Sequence, residues 1–171
     1  MISFGIVLGE PNSINSEIIA KSNAYKSNTI IIGSFELLKS QLQILKIKRK
    51  IKKIIKLEDI KKNDKILNVL DIPLRFEKAF DVHHKESSDY VKKCLLVGHK
   101  MCIQKKIKGI INCPINKKNL FKNLGVTEFL AKKNRVFNSE VMVIYNKNLS
   151  VAPLTTHIRV KEVSKFVKKK F

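Results

Sequence analysis

The sequence has no tryptophan, and aromatic residues make up only 7% of its 171 positions. Glycine (6), proline (4) and cysteine (3) are also scarce. Cys94, Cys102 and Cys113 are odd in number and lack the CxxC spacing of a metal knuckle. That argues against a disulfide-stapled scaffold and favours reduced thiols. No run approaches the roughly 18 apolar residues that span a bilayer. Met1-Ile2-Ser3-Phe4 puts no basic residue ahead of the first apolar run, so no secretory leader is expected and a cytoplasmic location is. Acidic residues are few, 14 against 35 basic ones, for a net charge of +21. Yet only four of the basic residues are arginine (Arg49, Arg75, Arg135, Arg159), and 31 are lysine. Proteins that read nucleic acid use arginine forks and aromatic platforms, and both are sparse here. The charge, together with abundant isoleucine and asparagine, is therefore attributed to the bias of an AT-rich coding sequence. Neither a nucleic-acid partner nor a membrane is expected.

Hydrophobic residues amount to 44%, enough for a core. Short apolar runs bounded by glycine or proline predict strands over 3–8, 28–33, 66–70 and 109–112. Helices are predicted over 14–25, capped by Ser13 or Asn15; from Ser34 to about Lys46; and from Ser87 or Ser88 to about Lys106. Two more are predicted at 116–123 and 127–134, and an amphipathic one at 159–170. Residues 140–145 and 149–154 read as a strand pair, and 71–86 as irregular. The basic stretch 46–65 fits a helix through Ile47, Ile51, Ile54 and Ile55, or an edge strand from Ile51 to Leu57 guarded by lysines. Alternating strands and helices predict an α/β fold with a mostly parallel sheet flanked by helices. Ligands in such sheets bind beyond the carboxyl ends of the strands. Here those ends are Gly9-Glu10-Pro11, Asn112-Cys113-Pro114 and Thr155-Thr156-His157.

Four stretches around these ends carry a pattern. Gly9-Glu10-Pro11-Asn12-Ser13-Ile14-Asn15-Ser16-Glu17 resembles G-D-P-A-G-I-G-P-E. Residues Ile111 to Lys118 resemble V-T-A-P-I-N-K-K. Gly125-Val126-Thr127-Glu128-Phe129-Leu130-Ala131 resembles G-H-T-E-F-L-A. Val151 to His157 resembles V-A-L-x-T-T-H. In this order the four resemble the 4-hydroxythreonine-4-phosphate dehydrogenase family of pyridoxal phosphate biosynthesis, over the N-terminal portion only.

The resemblance implies an isocitrate/isopropylmalate dehydrogenase-like fold, incomplete here, with a first domain over 1–125 and the start of a second over 126–171. It implies homodimers with a site between two α/β domains, NAD or NADP, and a divalent metal (Zn, Mg or Co) held by three histidines. His157 matches the first of these. The others, with the phosphate-contacting lysine and arginine, would lie beyond Phe171, so a fragment or one part of a split enzyme is expected. In the implied reaction the metal lowers the pKa of the substrate hydroxyl, hydride passes to the nicotinamide, and the β-keto acid loses carbon dioxide. Thr127 matches a substrate-binding position, and Val126 stands where the family has histidine. Read without the resemblance, Thr127 is a helix N-cap and His157 a structural or surface residue. Ser13 and Asn15 replace two family glycines, leaving a turn that either meets ligand or only links strand to helix. Lys117 and Lys118 follow a strand end and read as a pair that attracts the substrate phosphate or, by default, as a solvated one; His83 and His84 read as too divergent to share a metal, His99 as a surface or boundary residue, and Cys113 as a small buried side chain. The competing readings are a dehydrogenase for a related phosphorylated hydroxy acid, a degenerate non-catalytic homologue, and a basic nucleic-acid binder.

Overall fold

The computed structural model describes residues 4–22, 28–60, 63, 65–116, 125–136, 140–155 and 158–167. Residues Met1–Asn123 and Leu124–Phe171 form separate compact units.

The first unit is built on β1 (Phe4–Val7), β2 (Thr29–Gly33), β3 (Lys50–Ile54), β4 (Ile66–Asp71) and β5 (Gly109–Asn112), with α1 (Asn15–Lys21), α2 (Phe35–Ile44) and α3 (His84–Ile103) between them. The five strands form one parallel sheet in the order β3-β4-β2-β1-β5. Both faces of its centre are covered, which explains why β2 reads as an unbroken Ile30-Ile31-Ile32 run rather than an alternation. All three isoleucines are at most 1% exposed, and each contributes about 2 kcal/mol by leaving water. On one face Ile6, Leu8, Ile31, Leu67 and Val69 pack with Ile19 and Ala20 of α1 and Leu38 and Leu42 of α2. On the other lies α3. It approaches closely at Gly98, where a Cβ would stand 2.9 Å from Ile110 Cγ2.

The basic stretch resolves as an edge strand, not a helix. Ile51 pairs with Leu67 and Ile54 with Leu70 in the ladder to β4. Lys53 Nζ reaches Asp71 Oδ2 at 2.7 Å, and Asp71 Oδ1 accepts from the Phe35 amide at 2.9 Å, tying the end of β4 to the start of α2. Residues 57–59 form a 3₁₀ turn.

Helix ends depart from expectation in instructive ways. Ser34 caps α2 as predicted, accepting from the Leu37 amide at 3.2 Å. At α1 the cap position falls to Ile14, which has no side chain to accept, because Ser13 is engaged upstream. α3 begins at His84, ahead of the two serines, with His83 at its cap. Two helices of this unit end with a lysine in the left-handed region, Lys46 (φ 54°) and Lys105 (φ 55°). Each closes the paired bonds of a Schellman turn: Lys46 N to Gln43 O with Ile47 N to Leu42 O, and Lys105 N to Cys102 O with Lys106 N to Met101 O. Glycine is the usual residue there, and lysine costs about 1 kcal/mol by comparison.

The second unit contains α4 (Val126–Lys133), the antiparallel pair β6 (Ile144–Tyr145) and β7 (Ser150–Val151), a 3₁₀ turn at 160–162 and α5 (Val163–Phe166). The strand pair is shorter than predicted. The closing helix is reduced to its 3₁₀ turn and α5 within the described residues. α4 ends on a third left-handed cap, Arg135 (φ 58°). The helix predicted at 116–123 falls outside the described residues, apart from Asn116, which is not helical.

Candidate functional site at the strand ends

The loop after β1 carries the first motif, and side-chain hydrogen bonds hold its shape. Gly9 has φ +76°, and a Cβ there would stand 2.7 Å from the Pro114 carbonyl oxygen and 2.6 Å from Asn15 Nδ2. Only glycine fits both the dihedral and the space. The Glu10 amide donates to the Pro114 carbonyl at 3.2 Å, and Asn15 Nδ2 donates to the same carbonyl at 2.8 Å. Ser13 Oγ donates to the Glu10 carbonyl at 2.8 Å. Ser13 and Asn15, the two positions that are glycine in the motif resembled, thus hold the loop after β1 in shape, and Asn15 fastens it to the segment after β5.

Three more contacts hold the loop from other directions. Asn12 pairs with both backbone groups of Val82, donating from Nδ2 to the carbonyl at 2.7 Å and accepting the amide on Oδ1 at 2.8 Å. Gln41, 2% exposed, donates from Nε2 to the carbonyls of Pro11 (2.7 Å) and Ala79 (2.6 Å). Ser87 Oγ donates to Glu10 Oε1. The segment 72–83, which is the irregular part of 71–86 once β4 has taken Asp71 and α3 begins at His84, is thereby joined to the first motif. Its own small core of Ala79 and Val82 packs on Leu37.

A cleft of about 390 Å³ lies along that segment, lined by Arg75, Phe76, Glu77, Asp81, Val82, His83 and Glu86. His83 Nδ1 and Glu86 Oε2 are 2.6 Å apart. Glu86 is held below the usual carboxylate range by its own backbone amide at the helix start and then by His83. The partner of His83 is therefore Glu86. The cleft was not foreseen, since the sequence marks 71–86 only as irregular. The buried oxygens Asn15 Oδ1, Ser16 Oγ and Asn112 Oδ1 have no hydrogen-bond partner among the described residues. They mark the end of β5 and the start of α1 as places where polar valence is left over.

Burial pushes Cys94 up to about 12 and Cys113 up to about 11, so both stay protonated at neutral pH. Burial also raises the thiol of Cys102. His99 is half-buried on α3, a boundary residue as expected.

In the second unit Val126 and Thr127 are the first two residues of α4, Val126 half-buried and Thr127 exposed. The cap position is Gly125, not Thr127, and no side chain caps the helix. The Thr127 hydroxyl thus sits in the first turn, facing solvent. Glu128 shares that turn and folds its carboxylate back over Gly125. His157, Lys117 and Lys118 lie outside the described residues. Among the described residues no group of three or more His, Cys, Asp or Glu side chains could hold a metal ion. No described helix is long and apolar enough to cross a membrane.

A 4-hydroxythreonine-4-phosphate dehydrogenase of Aquifex aeolicus is 34% identical over 175 residues, covering 96% of this chain and 52% of the relative. A Fusobacterium nucleatum relative, assigned provisionally as a D-threonate 4-phosphate dehydrogenase, is 26% identical over 92% of this chain and 50% of its own length. The crystal structure of a 4-hydroxythreonine-4-phosphate dehydrogenase from Burkholderia phymatum superposes with a TM-score of 0.82 at 22% identity, covering 96% of this chain and 53% of that one. At that identity the likeness is one of fold. The chain spans about half the length of the relatives it matches, in keeping with an N-terminal portion. The family described as "Pyridoxal phosphate biosynthetic protein PdxA" matches residues 25–171, and the chain belongs to that family.

Proposed function

We propose that this chain supplies the first half of an NAD- or NADP-dependent dehydrogenase that oxidises and decarboxylates 4-phosphooxy-L-threonine. The observation that carries the reading is the family match over residues 25–171 together with 34% identity to a relative of that name. The strand-end loops support it: Gly9, Pro11 and Pro114 keep the backbone of the motifs, and the replaced glycines are absorbed by hydrogen bonds within the loop. Thr127 is the proposed substrate contact. It stands exposed at the start of α4, where amides not yet paired within the helix favour an anion. The side chain of its neighbour Val126 offers no donor. His157 is proposed as one metal ligand of the assembled enzyme. The further ligands are expected from the stretch of the relatives that this chain does not span, and the chain alone is proposed to be inactive. The division into domains at 125/126, the homodimer and the cytoplasmic location belong to the same proposal.

A second reading has a specific observation behind it. Val126 replaces the histidine of the motif resembled, and the Fusobacterium nucleatum relative is assigned to a different phosphorylated hydroxy acid. A dehydrogenase for such an acid is the alternative. The deciding experiment follows nicotinamide reduction spectrophotometrically. It uses the chain joined to the stretch of the Aquifex aeolicus relative that it does not span, with a divalent metal and either 4-phosphooxy-L-threonine or D-threonate 4-phosphate. Turnover of the first substrate alone supports the lead reading, and turnover of the second alone supports the alternative. Turnover of neither, by a folded protein, refutes both and leaves a non-catalytic homologue.

A further inference from the structure

The end of α2 and the start of β3 enclose a groove of about 330 Å³. It lies at the amino ends of the parallel strands, the opposite end of the sheet from the motif loops. Its floor is aliphatic. Leu42 is 4% exposed, and Ile47 and Ile51 pack against the core cluster to which Leu42 belongs. The capping of α2 builds that floor. In the Schellman turn that closes the helix, the Ile47 amide donates to the Leu42 carbonyl at 3.0 Å and returns Ile47 to the level of Leu42. The same turn leaves Lys46 exposed at the mouth, and Lys39, Lys48 and Arg49 complete the rim. Among the described residues no acidic side chain lines the groove, and Lys39, Lys46 and Lys48 have no acidic partner. The C-terminus of α2 brings only about half a negative charge, which four cations outweigh. The other described clefts are of mixed or acidic character. The one along 72–83 sets Arg75 beside Glu77, Asp81 and Glu86, and one of about 260 Å³ at the start of α1 includes Glu17.

An apolar floor under a cationic rim defines the chemistry of an occupant. The volume sits at the small end of the range for small-molecule sites, about 300–1,000 Å³. Covering the floor takes an apolar body, which gains up to about fourfold in affinity per methylene buried. Matching the rim takes a carboxylate or phosphate. Inorganic phosphate would meet the rim and leave the floor in water. A nucleic acid would bring phosphates without the apolar body, and no aromatic residue lines the groove to stack a base. A flat bilayer would touch the rim and not the recessed floor. A second copy of the chain carries the same +21 and is repelled.

We propose that the groove between α2 and β3 is a binding site for a small amphipathic organic anion, its alkyl or aryl body on Leu42, Ile47 and Ile51 and its phosphate or carboxylate against the rim of Lys39, Lys46, Lys48 and Arg49. The site belongs to the first unit and lies away from the loops that carry the motifs. It therefore does not depend on the proposed dehydrogenase reaction, and a failure of either leaves the other standing.

The test titrates the full chain, labelled at its isoleucine methyl groups, with methyl, butyl and hexyl phosphate, and with inorganic phosphate and hexanol as controls. The expected result is a saturable shift of the Ile47 and Ile51 methyl signals, while Ile32, which faces α3, stays in place. Hexyl phosphate should bind with a dissociation constant of low millimolar order or below. Affinity should rise by about twofold to fourfold per methylene from methyl to hexyl. Inorganic phosphate and hexanol should each bind at least about tenfold more weakly than hexyl phosphate. Lys39→Glu with Lys48→Glu should weaken hexyl phosphate by at least about tenfold. The same change of charge on α3, Lys93→Glu with Lys100→Glu, should not. Urea denaturation of both variants checks that the fold is kept, and the chain-length series needs no variant at all. Absence of a saturable shift at Ile47 and Ile51 would overturn the proposal. So would equal affinity for methyl and hexyl phosphate, which would mean an adventitious ion only. A short DNA duplex or anionic phospholipid vesicles shifting the same methyl signals, where hexyl phosphate does not, would overturn it in favour of a macromolecular or membrane polyanion.

Discussion

The Asn12 side chain offers the sharpest test of how the strand-end loops are held. Its amide spans 70 residues to pair with both backbone groups of Val82, at 2.7 and 2.8 Å. Val82 is only 4% exposed, so water does not readily replace a lost partner. Asn12→Ala removes two hydrogen bonds, each worth about 1 kcal/mol net, and strands a buried N–H and C=O at a further cost of about 1 kcal/mol or more. The sum is about 3 kcal/mol. With an m-value of about 2 kcal/mol/M in urea, the midpoint of the first unit's transition should fall by about 1.5 M while m stays constant. The Val82 amide gives a local readout. It should exchange orders of magnitude faster in the variant, while amides of β2 change only as global stability dictates. Asn12→Asp separates the two bonds: the carboxylate still accepts from the Val82 amide but faces the carbonyl with an oxygen, so the loss should equal or exceed that of alanine. A midpoint shift below about 0.3 M, or an unchanged Val82 amide, would refute the claim that this side chain fastens the first motif to the segment before α3.

Other outcomes follow from single features. Gly9→Ala should destabilise the first unit by about 2 kcal/mol or more, since φ is +76° and the new Cβ meets the Pro114 carbonyl; urea denaturation measures it. Lys105→Gly should stabilise by up to about 1 kcal/mol by relieving a left-handed lysine, read as a raised melting temperature. Burial raises the Cys94 thiol from 9.0 to about 12, so the unfolded chain releases this proton first as pH rises. Its contribution is complete below pH 9 and decays toward 12; at about pH 10 it has lost about 1 kcal/mol, and Cys94→Ala should flatten that part of the stability profile. Thr127→Val in the joined enzyme should lower kcat/KM for the phosphorylated substrate by about tenfold to a hundredfold, as expected for a lost hydrogen bond to a charged group. The same substitution should leave the urea midpoint in place.

The sheet was legible because its strands are local events. β1, β2, β4 and β5 are apolar runs ended by glycine, proline or a turn, and no distant contact is needed to see them. β3 was ambiguous for a physical reason. Ile51 and Ile54 sit three apart, a spacing that serves a helix face, and what makes the segment a strand is its ladder to β4 and the ion pair of Lys53 with Asp71. The site divides the same way. The motifs stood out as residue patterns, but the partners that hold them did not. Asn12, Gln41 and Ser87 act on residues 30 to 77 positions away and carry no sequence signal of their own. Thr127 was read as a cap because threonine before an acidic residue favours one. Gly125 takes that position and leaves the hydroxyl exposed.

The scarcity of glycine connects the composition to the fold. Among the described residues three helices end in a left-handed residue, and each time the residue is Lys or Arg, exposed to solvent. A cationic side chain near the last carbonyls recovers part of the cost through the helix dipole. Even so, glycine would be better by about 1 kcal/mol at each. The ends of α2 and α3 tolerate about 1 kcal/mol because the sheet beneath them is as fully packed as β2. With lysine or arginine where glycine is usual, these helix ends lack the residue by which such boundaries are normally read, and that is why the sequence places them only approximately.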